Sequence, residues 1–378
     1  MPVAGHAPTS HPAWELHWPA LRALAREAPR TAAVDDRCYQ LLCDMQVFRT
    51  LLPSNLEGAE ADPLDAMASI EALAALSGTI GWVSLVGITG AIFAAELELA
   101  AAREIYADPD VIVAYAGAPN GTLTPGDGRF VLSGQWNLAS ALSHASWVAV
   151  GCRIDGEPDG STAVAIAPAR DCTTSLSWEP IGLSGTGTGT VSIDRVFVPP
   201  EHVIAGEPDG AEGRRSRRYR QLIPSMIASV SLGIGAAALN EMAEHLSVEP
   251  VQSSGLRRAD SEHVQHLLGR AHAELCSARA LLCEVTAETW RRACTGQDLG
   301  LEHGALQRLA ATHATTVAAE TSAAVATLAG TRAVTLSDQL CRRWADARTI
   351  TANITVRDLY YRVYGGVITT GQIPGSWP

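Results

Sequence analysis

The sequence predicts an α+β fold in three consecutive parts: helical, strand-rich, then helical again. Three observations carry this. Apolar residues recur at three- and four-residue spacing over 14–102. Between 111 and 198 the pattern changes to short apolar or alternating runs cut by Gly, Pro and Asn. From 221 onward long amphipathic runs return. These shifts place the helical domain at 1–115, the middle β-domain at 116–205 and the helical bundle at 206–378.

Taken in order, helices are expected over 14–28 and 37–52, and Pro53, Ser54 and Asn55 then mark a loop. Asp62-Pro63 opens the next helical stretch. A first-turn proline gives up no helical hydrogen bond, and its fixed φ suits a helix start. The stretch runs to Ala102, and Pro109 closes the block. Within it, 80–95 carries no charge. That run is shorter than the roughly 20 residues a bilayer requires. Ser84, Gly87, Thr89 and Gly90 also interrupt it, so a buried helix is expected. Strands are expected over 111–115, 129–132, 147–154, 163–167 and 190–198, with turns at Pro119-Asn120-Gly121 and Gly126-Asp127-Gly128. A polar stretch after Pro200 leads to Arg214, Arg215, Arg217, Arg218 and Arg220, either a solvated linker end or an anion patch. Helices then fill 221–355, among them 266–284 and 305–328, which fits a bundle.

Composition narrows the function classes. The 378 residues are 47% hydrophobic and 18% charged, which describes a packed globular protein and excludes extensive disorder. A net charge of −12 repels phosphate backbones and argues against nucleic acid as the main partner. The eight cysteines, at 38, 43, 152, 172, 276, 283, 294 and 341, form no CxxC pair. They support neither a zinc site nor a thioredoxin-like motif. His266 and His272 are six residues apart, not the four of a helical metal pair, and no metal is assigned. No basic segment followed by an apolar core stands at the N-terminus. A cytoplasmic protein with free thiols and no membrane association is expected.

Several motifs then carry a resemblance. Gly78-Thr79-Ile80-Gly81-Trp82 resembles a "GSxxW" helix start. Residues 133–140, Ser-Gly-Gln-Trp-Asn-Leu-Ala-Ser, followed by His144-Ala145-Ser146-Trp147, resemble an "SGxWxxxSGxxxAxW" block. Gly182-Leu183-Ser184-Gly185-Thr186-Gly187 with Val196-Phe197-Val198-Pro199 resembles "GLRGTGS…VFVP", and 340–353 resembles a "PLxRxxRDAxxxxxH" helix. In order and spacing these blocks are similar to the acyl-CoA dehydrogenase superfamily, specifically its flavin-dependent two-component monooxygenase branch. The resemblance implies an acyl-CoA dehydrogenase-like fold and usually a homotetramer. It also implies an oxygenase that takes reduced FMN or FAD from a separate flavin reductase. Such an enzyme adds O₂ to give a C4a-(hydro)peroxyflavin and oxygenates a small organic substrate. Alanine- and arginine-rich composition points further to a biosynthetic setting in a high-GC bacterium.

Site residues follow from the same resemblance. Ser140 matches a serine beside the flavin N5, where a hydroxyl acts by electrostatic positioning rather than as a nucleophile. Ala139 adjoins it, and Ala141 stands where the family has glycine. Trp136 is expected near the flavin ring. Ala116, Gly117 and Ala118 match a strand end that contacts flavin through its main chain, and Thr186 is expected to offer a hydroxyl. Gly185 to Gly189 imitates a phosphate loop on paper, but a strand follows it, not the helix that a dinucleotide fingerprint requires. The family arginine is Ser184 here. Arg257, Gly330 and Thr331 match positions near a neighbouring subunit's cofactor. His144 is a candidate for substrate binding. Near the C-terminus, Ile354 occupies the position of a dehydrogenase's catalytic glutamate, and Asn353 that of the oxygenase histidine. Isoleucine cannot take a proton, and asparagine can orient a substrate but not act as a base. Asn353 is therefore expected to orient the substrate. The alternatives left open are an acyl-CoA dehydrogenase-like oxidase or desaturase, and a protein of the same fold with a non-redox function.

Overall fold

The structure, a computed structural model, describes residues 12–27, 33–157, 161–205, 219–249 and 257–373. The first helices are α1 (Pro12–Glu27), α2 (Asp36–Asp44), α3 (Pro63–Leu76), α4 (Gly78–Gly90) and α5 (Leu99–Ile105). Asp35 caps α2 by accepting from the Cys38 N–H at 2.7 Å, and Asp62 caps α3 by accepting from the Leu64 N–H at 2.9 Å. Helix α2 stops earlier than its periodicity predicts, because Gln46 takes a left-handed φ of 55°. Within the helical stretch expected over 63–102, α3 and α4 meet at Ser77, whose backbone is extended.

Among the described residues seven strands follow: β1 (Val113–Gly126), β2 (Arg129–Ala139), β3 (Trp147–Ile154), β4 (Thr162–Pro168), β5 (Thr173–Ser175), β6 (Gly189–Val198) and β7 (Val203–Ala205). They form one sheet in the order β5-β6-β2-β1-β3-β4-β7, antiparallel except for the β1–β3 pair. Gly126-Asp127-Gly128 makes the β1–β2 hairpin, with Gly128 at φ 70°. The turn expected at Pro119-Asn120-Gly121 is not one. Strand β1 runs through it, and only its register with β3 slips between Ala116 and Gly121. Both faces of the sheet are covered. Val148 and Val150 join Ala163, Ala165 and Ala167 around Trp136 on one face, while Ala149, Val164 and Ile166 pack on Phe93, Ile105 and Tyr106 on the other. This is the two-residue alternation of a strand, read on both sides.

The chain returns to helices in α6 (Ile223–Val248), α7 (Glu262–Thr295), α8 (Gly300–Ala329), α9 (Gln339–Ile350) and α10 (Leu359–Thr370). Helix α10 lies beyond the stretch predicted helical. The two helical parts, separated in sequence by the sheet, share one apolar core that includes Ile70, Leu73 and Ile88 with Leu232, Leu275 and Ala314. Arg279 of α7 pairs with Glu71 of α3 across the two parts, and Arg343 of α9, paired with Glu241 of α6 at 3.2 Å, also donates to the Ala75 carbonyl of α3 at 3.0 Å. Residues 78–96 and α6 are both long and apolar enough to cross a membrane, yet 72% and 83% of their most apolar windows are buried inside the protein. All eight cysteines are unpaired. Of the arginine cluster, positions 214–218 lie outside the described residues. Arg220 pairs with Glu96 and sits 5.3 Å from the Phe93 ring centre.

Candidate functional site

The end of β2 is where the sheet departs from regularity. Leu132, Gly134 and Trp136 share one parity, which would turn Leu138 inward. Instead the register with β6 slips between Trp136 and Ala139, and Leu138 adopts φ 62°. The slip reverses the facing of the next residues. Leu138 is 61% exposed, and Ala139 and Ser140 are buried. Ala141 takes φ 61°, a conformation that favours glycine and accounts for the family's preference there. The 140s loop is held by main-chain bonds from Ala141 N–H to Thr186 O at 2.8 Å and from Leu142 N–H to Gly187 O at 3.0 Å.

Ser140 lies within a chain of buried hydroxyls. The Trp82 indole N–H donates to Ser140 Oγ at 3.0 Å. Ser140 Oγ is 2.7 Å from Thr188 Oγ1, which is 2.7 Å from Thr186 Oγ1. Thr186 donates onward to the Leu183 carbonyl at 2.8 Å. The Leu183 N–H in turn donates to Asp346 Oδ1 on α9 at 2.6 Å. Space here is tight. A Cβ on Gly182 would lie 2.2 Å from the Ala345 carbonyl carbon, and one on Gly78 would lie 2.5 Å from Asp346 Oδ2. Helix α9 thus backs the 182–188 loop, while α4 packs on α9 through Gly78 and reaches Ser140 through Trp82.

The Trp136 ring is fully buried within the sheet's own core. Its N–H donates to the Ala118 carbonyl at 3.1 Å and the Gly151 carbonyl at 2.8 Å. It acts as a post tying the slipped edge of β1 to the end of β2. Ala116, Gly117 and Ala118 occupy that edge, where Gly117 and Ala118 are exposed and no pairing with β3 is formed between Ala116 and Gly121. Main-chain polar groups, the Leu138 side chain and Ser140 are thereby assembled at one end of the sheet.

Other predicted residues are engaged elsewhere. His144 stacks on Tyr39 at 4.3 Å and bonds the Val34 carbonyl through Nε2 at 2.8 Å. A carbonyl only accepts, so Nε2 carries the proton and Nδ1 is the nitrogen left to meet a substrate. Asn353 Oδ1 accepts from the Thr355 N–H at 2.9 Å and the Thr355 hydroxyl at 2.8 Å, closing a turn after α9. Only its amide nitrogen remains for a substrate. Ile354 is 57% exposed. Arg257 donates to the Ser247 carbonyl at 2.7 Å, and its neighbour Arg258 reaches the Leu328 carbonyl at 2.9 Å. The Arg258 bond brings the 257–258 segment beside the end of α8, next to Gly330 and Thr331, and among the described residues no hydrogen bond joins these to the Ser140 group.

Leu138, Thr188 and Asp346 carry no motif signal that marks them in the sequence, and Trp82 stands there only as a motif letter. Ser184 replaces the family arginine, yet the place does not lack charge. Arg342 and Arg343 of α9 line the same cavity as Ser184, about 170 Å³ in volume, so cationic side chains reach that place from another element. Arg343 is balanced there by Glu241. Burial, aided by the Asp35 carboxylate, pushes the Cys38 thiol up to about 12, and burial is likewise the main force holding Cys43 at about 12. Buried thiols therefore supply no thiolate.

Comparison with known proteins follows the same outline. Residues 225–357 match the family model for the acyl-CoA dehydrogenase C-terminal domain. The chain is 28% identical over 334 residues to the indole-3-acetate monooxygenase of Pseudomonas putida, covering 87% of this chain and 86% of that protein. It is 25% identical to the flavin-dependent monooxygenase oxygenase subunit HsaA of Rhodococcus jostii strain RHA1, covering 87% and 90%. Its fold is shared with XiaF from Streptomyces, solved with FADH2 and glycerol, at a TM-score of 0.86, 22% identity and coverage of 97% and 96%.

Proposed function

We infer that this chain, which belongs to the acyl-CoA dehydrogenase superfamily and to its flavin-dependent monooxygenase branch, is a reduced-flavin-dependent monooxygenase. It is the oxygenase of a two-component system, taking reduced FMN or FAD from a separate flavin reductase and using O₂ to oxygenate a small organic substrate. The observation that carries this reading is the surface built at the end of β2. A flavin ring has an apolar face and a polar edge. Leu138 offers an exposed apolar side chain, 116–118 offer main-chain groups along an unpaired edge, and Ser140 offers a hydroxyl. These residues fit the ring. When bound, the flavin supplies the oxygen chemistry, and the protein holds it, excludes water and orients the substrate.

Ser140 is the residue we place beside the reactive edge of the flavin, with Ala139 and Thr186 supporting it. Nδ1 of His144 and the amide nitrogen of Asn353 are the groups offered to substrate. Arg257, Gly330 and Thr331 are assigned to the cofactor of a neighbouring subunit, since none joins the Ser140 group of its own chain. Exposed Trp344, Ile354, Tyr361 and Ile368, on and between α9 and α10, supply an apolar face that a homotetramer would cover. The domain division at 1–115, 116–205 and 206–378, a cytoplasmic location and a biosynthetic role complete the proposal. Dehydrogenation by a base at position 354 is disfavoured, because that side chain is an exposed isoleucine.

Anaerobic titration of the protein with reduced FMN and, separately, reduced FAD tests the reading. Saturable binding of at least one reduced flavin is expected, with product formation that requires a reductase. Failure to bind either one overturns it.

A further inference from the structure

The hydroxyl chain under Ser140 has a direction, and the direction can be worked out from its two ends. A carbonyl has no proton, so Thr186 spends its only hydroxyl proton on Leu183 O. Thr186 can therefore only accept from Thr188, and Thr188 gives its proton there. Thr188 in turn can only accept from Ser140, so the Ser140 proton points to Thr188. The Trp82 N–H fills one acceptor position on Ser140 Oγ. What remains on Ser140 is one lone pair and no proton. Thr186 and Thr188 are 1% and 6% exposed, so water does not compete for these bonds.

We propose that Thr188 is a positioning residue that makes Ser140 a hydrogen-bond acceptor toward the cofactor, and that this selects reduced over oxidised flavin. The inference rests on the reading that Ser140 lies beside the flavin N5. Reduced flavin carries a proton on N5 and can donate to the free lone pair. Oxidised flavin presents a lone pair at N5, and two acceptors then face each other. The chain is also a dead end for protons. Ser140 could take the N5 proton only by passing its own through Thr188 and Thr186 to a peptide carbonyl, which is not a base at neutral pH. The same arrangement therefore holds the N5 proton in place.

The test is the ratio of affinities for reduced and oxidised flavin, measured by anaerobic titration of wild type, Thr188→Val and Thr188→Ser with each redox state of FMN and FAD. Valine keeps the shape of threonine but releases the Ser140 proton to donate to oxidised N5. The preference for reduced flavin should fall about tenfold in Thr188→Val, as one hydrogen bond changes sign. The midpoint potential of the bound flavin should fall correspondingly by about 30 mV. Thr188→Ser restores the hydroxyl and should restore both values. Thr186→Val removes the end that fixes the direction; it should lower the preference too, and it carries the test if Thr188→Val does not fold. An unchanged ratio in folded valine variants overturns the proposal, as does an equal loss of affinity for both redox states. If wild type binds neither flavin, the underlying functional reading falls and the proposal falls with it.

Discussion

Trp136→Phe separates a post inside the sheet from a wall of the cofactor site. The ring is fully buried, and its N–H serves the Ala118 and Gly151 carbonyls. Phenylalanine removes about 40 Å³ of side chain, which at roughly 24 cal/mol per Å³ costs about 1 kcal/mol. At least one buried carbonyl also loses its donor, at about 1–3 kcal/mol. The variant should therefore be destabilised by about 2–4 kcal/mol. Urea unfolding followed by circular dichroism measures this, through a lower midpoint at unchanged slope. Affinity for reduced flavin should weaken less than stability, since only the hold on 116–118 loosens. Stability within about 0.5 kcal/mol of wild type, a margin ordinary for sites of no structural consequence, would refute the reasoning if flavin affinity dropped sharply. The ring would then be meeting the cofactor.

Three further outcomes follow from the geometry. Ala141→Gly loses a buried methyl worth about 0.8 kcal/mol and makes the unfolded chain more flexible, but relieves a left-handed alanine at about 1–2 kcal/mol. Its unfolding free energy should stay near wild type, whereas Ala311→Gly in the buried middle of α8 should cost about 1.5–2 kcal/mol in the same assay. Asn353→Ala removes the acceptor that closes the turn at Thr355; a loss of about 1 kcal/mol with unchanged affinity for reduced flavin is expected in paired unfolding and titration measurements. Thiol labelling should mark exposed Cys276 and Cys294 first. Cys38, Cys43 and Cys152, whose thiols burial pushes up to about 12, hold the protonated form until pH approaches that value and should label only after denaturation. Mass spectrometry of the labelled native protein gives the order.

Periodicity made the helix–sheet–helix order legible, and the Asp62-Pro63 helix start and the 126–128 hairpin were punctuated by residues with few other uses. Ser140 was legible through its motif. Leu138 was not, because alternation along β2 assigns it to the core and only a register slip with positive φ turns it out. Trp136 shows the converse: a tryptophan beside a site motif looks like a ligand contact, while its parity with Leu132 marks the inner face. The end of α2 was hidden because nothing in Gln46 announces a left-handed backbone. Thr188 and Asp346 act through partners 48 and 163 residues away, and no local pattern encodes such a contact.

The most direct test of the account is rapid mixing of the anaerobic protein–reduced flavin complex with oxygenated buffer, following the return of oxidised-flavin absorbance. The expected return is markedly delayed relative to free reduced flavin at the same oxygen concentration, and shortened when Ser140 is replaced by alanine. A return that matches free flavin, in the presence of protein that binds it, would contradict the claim that this site controls the reaction of flavin with oxygen.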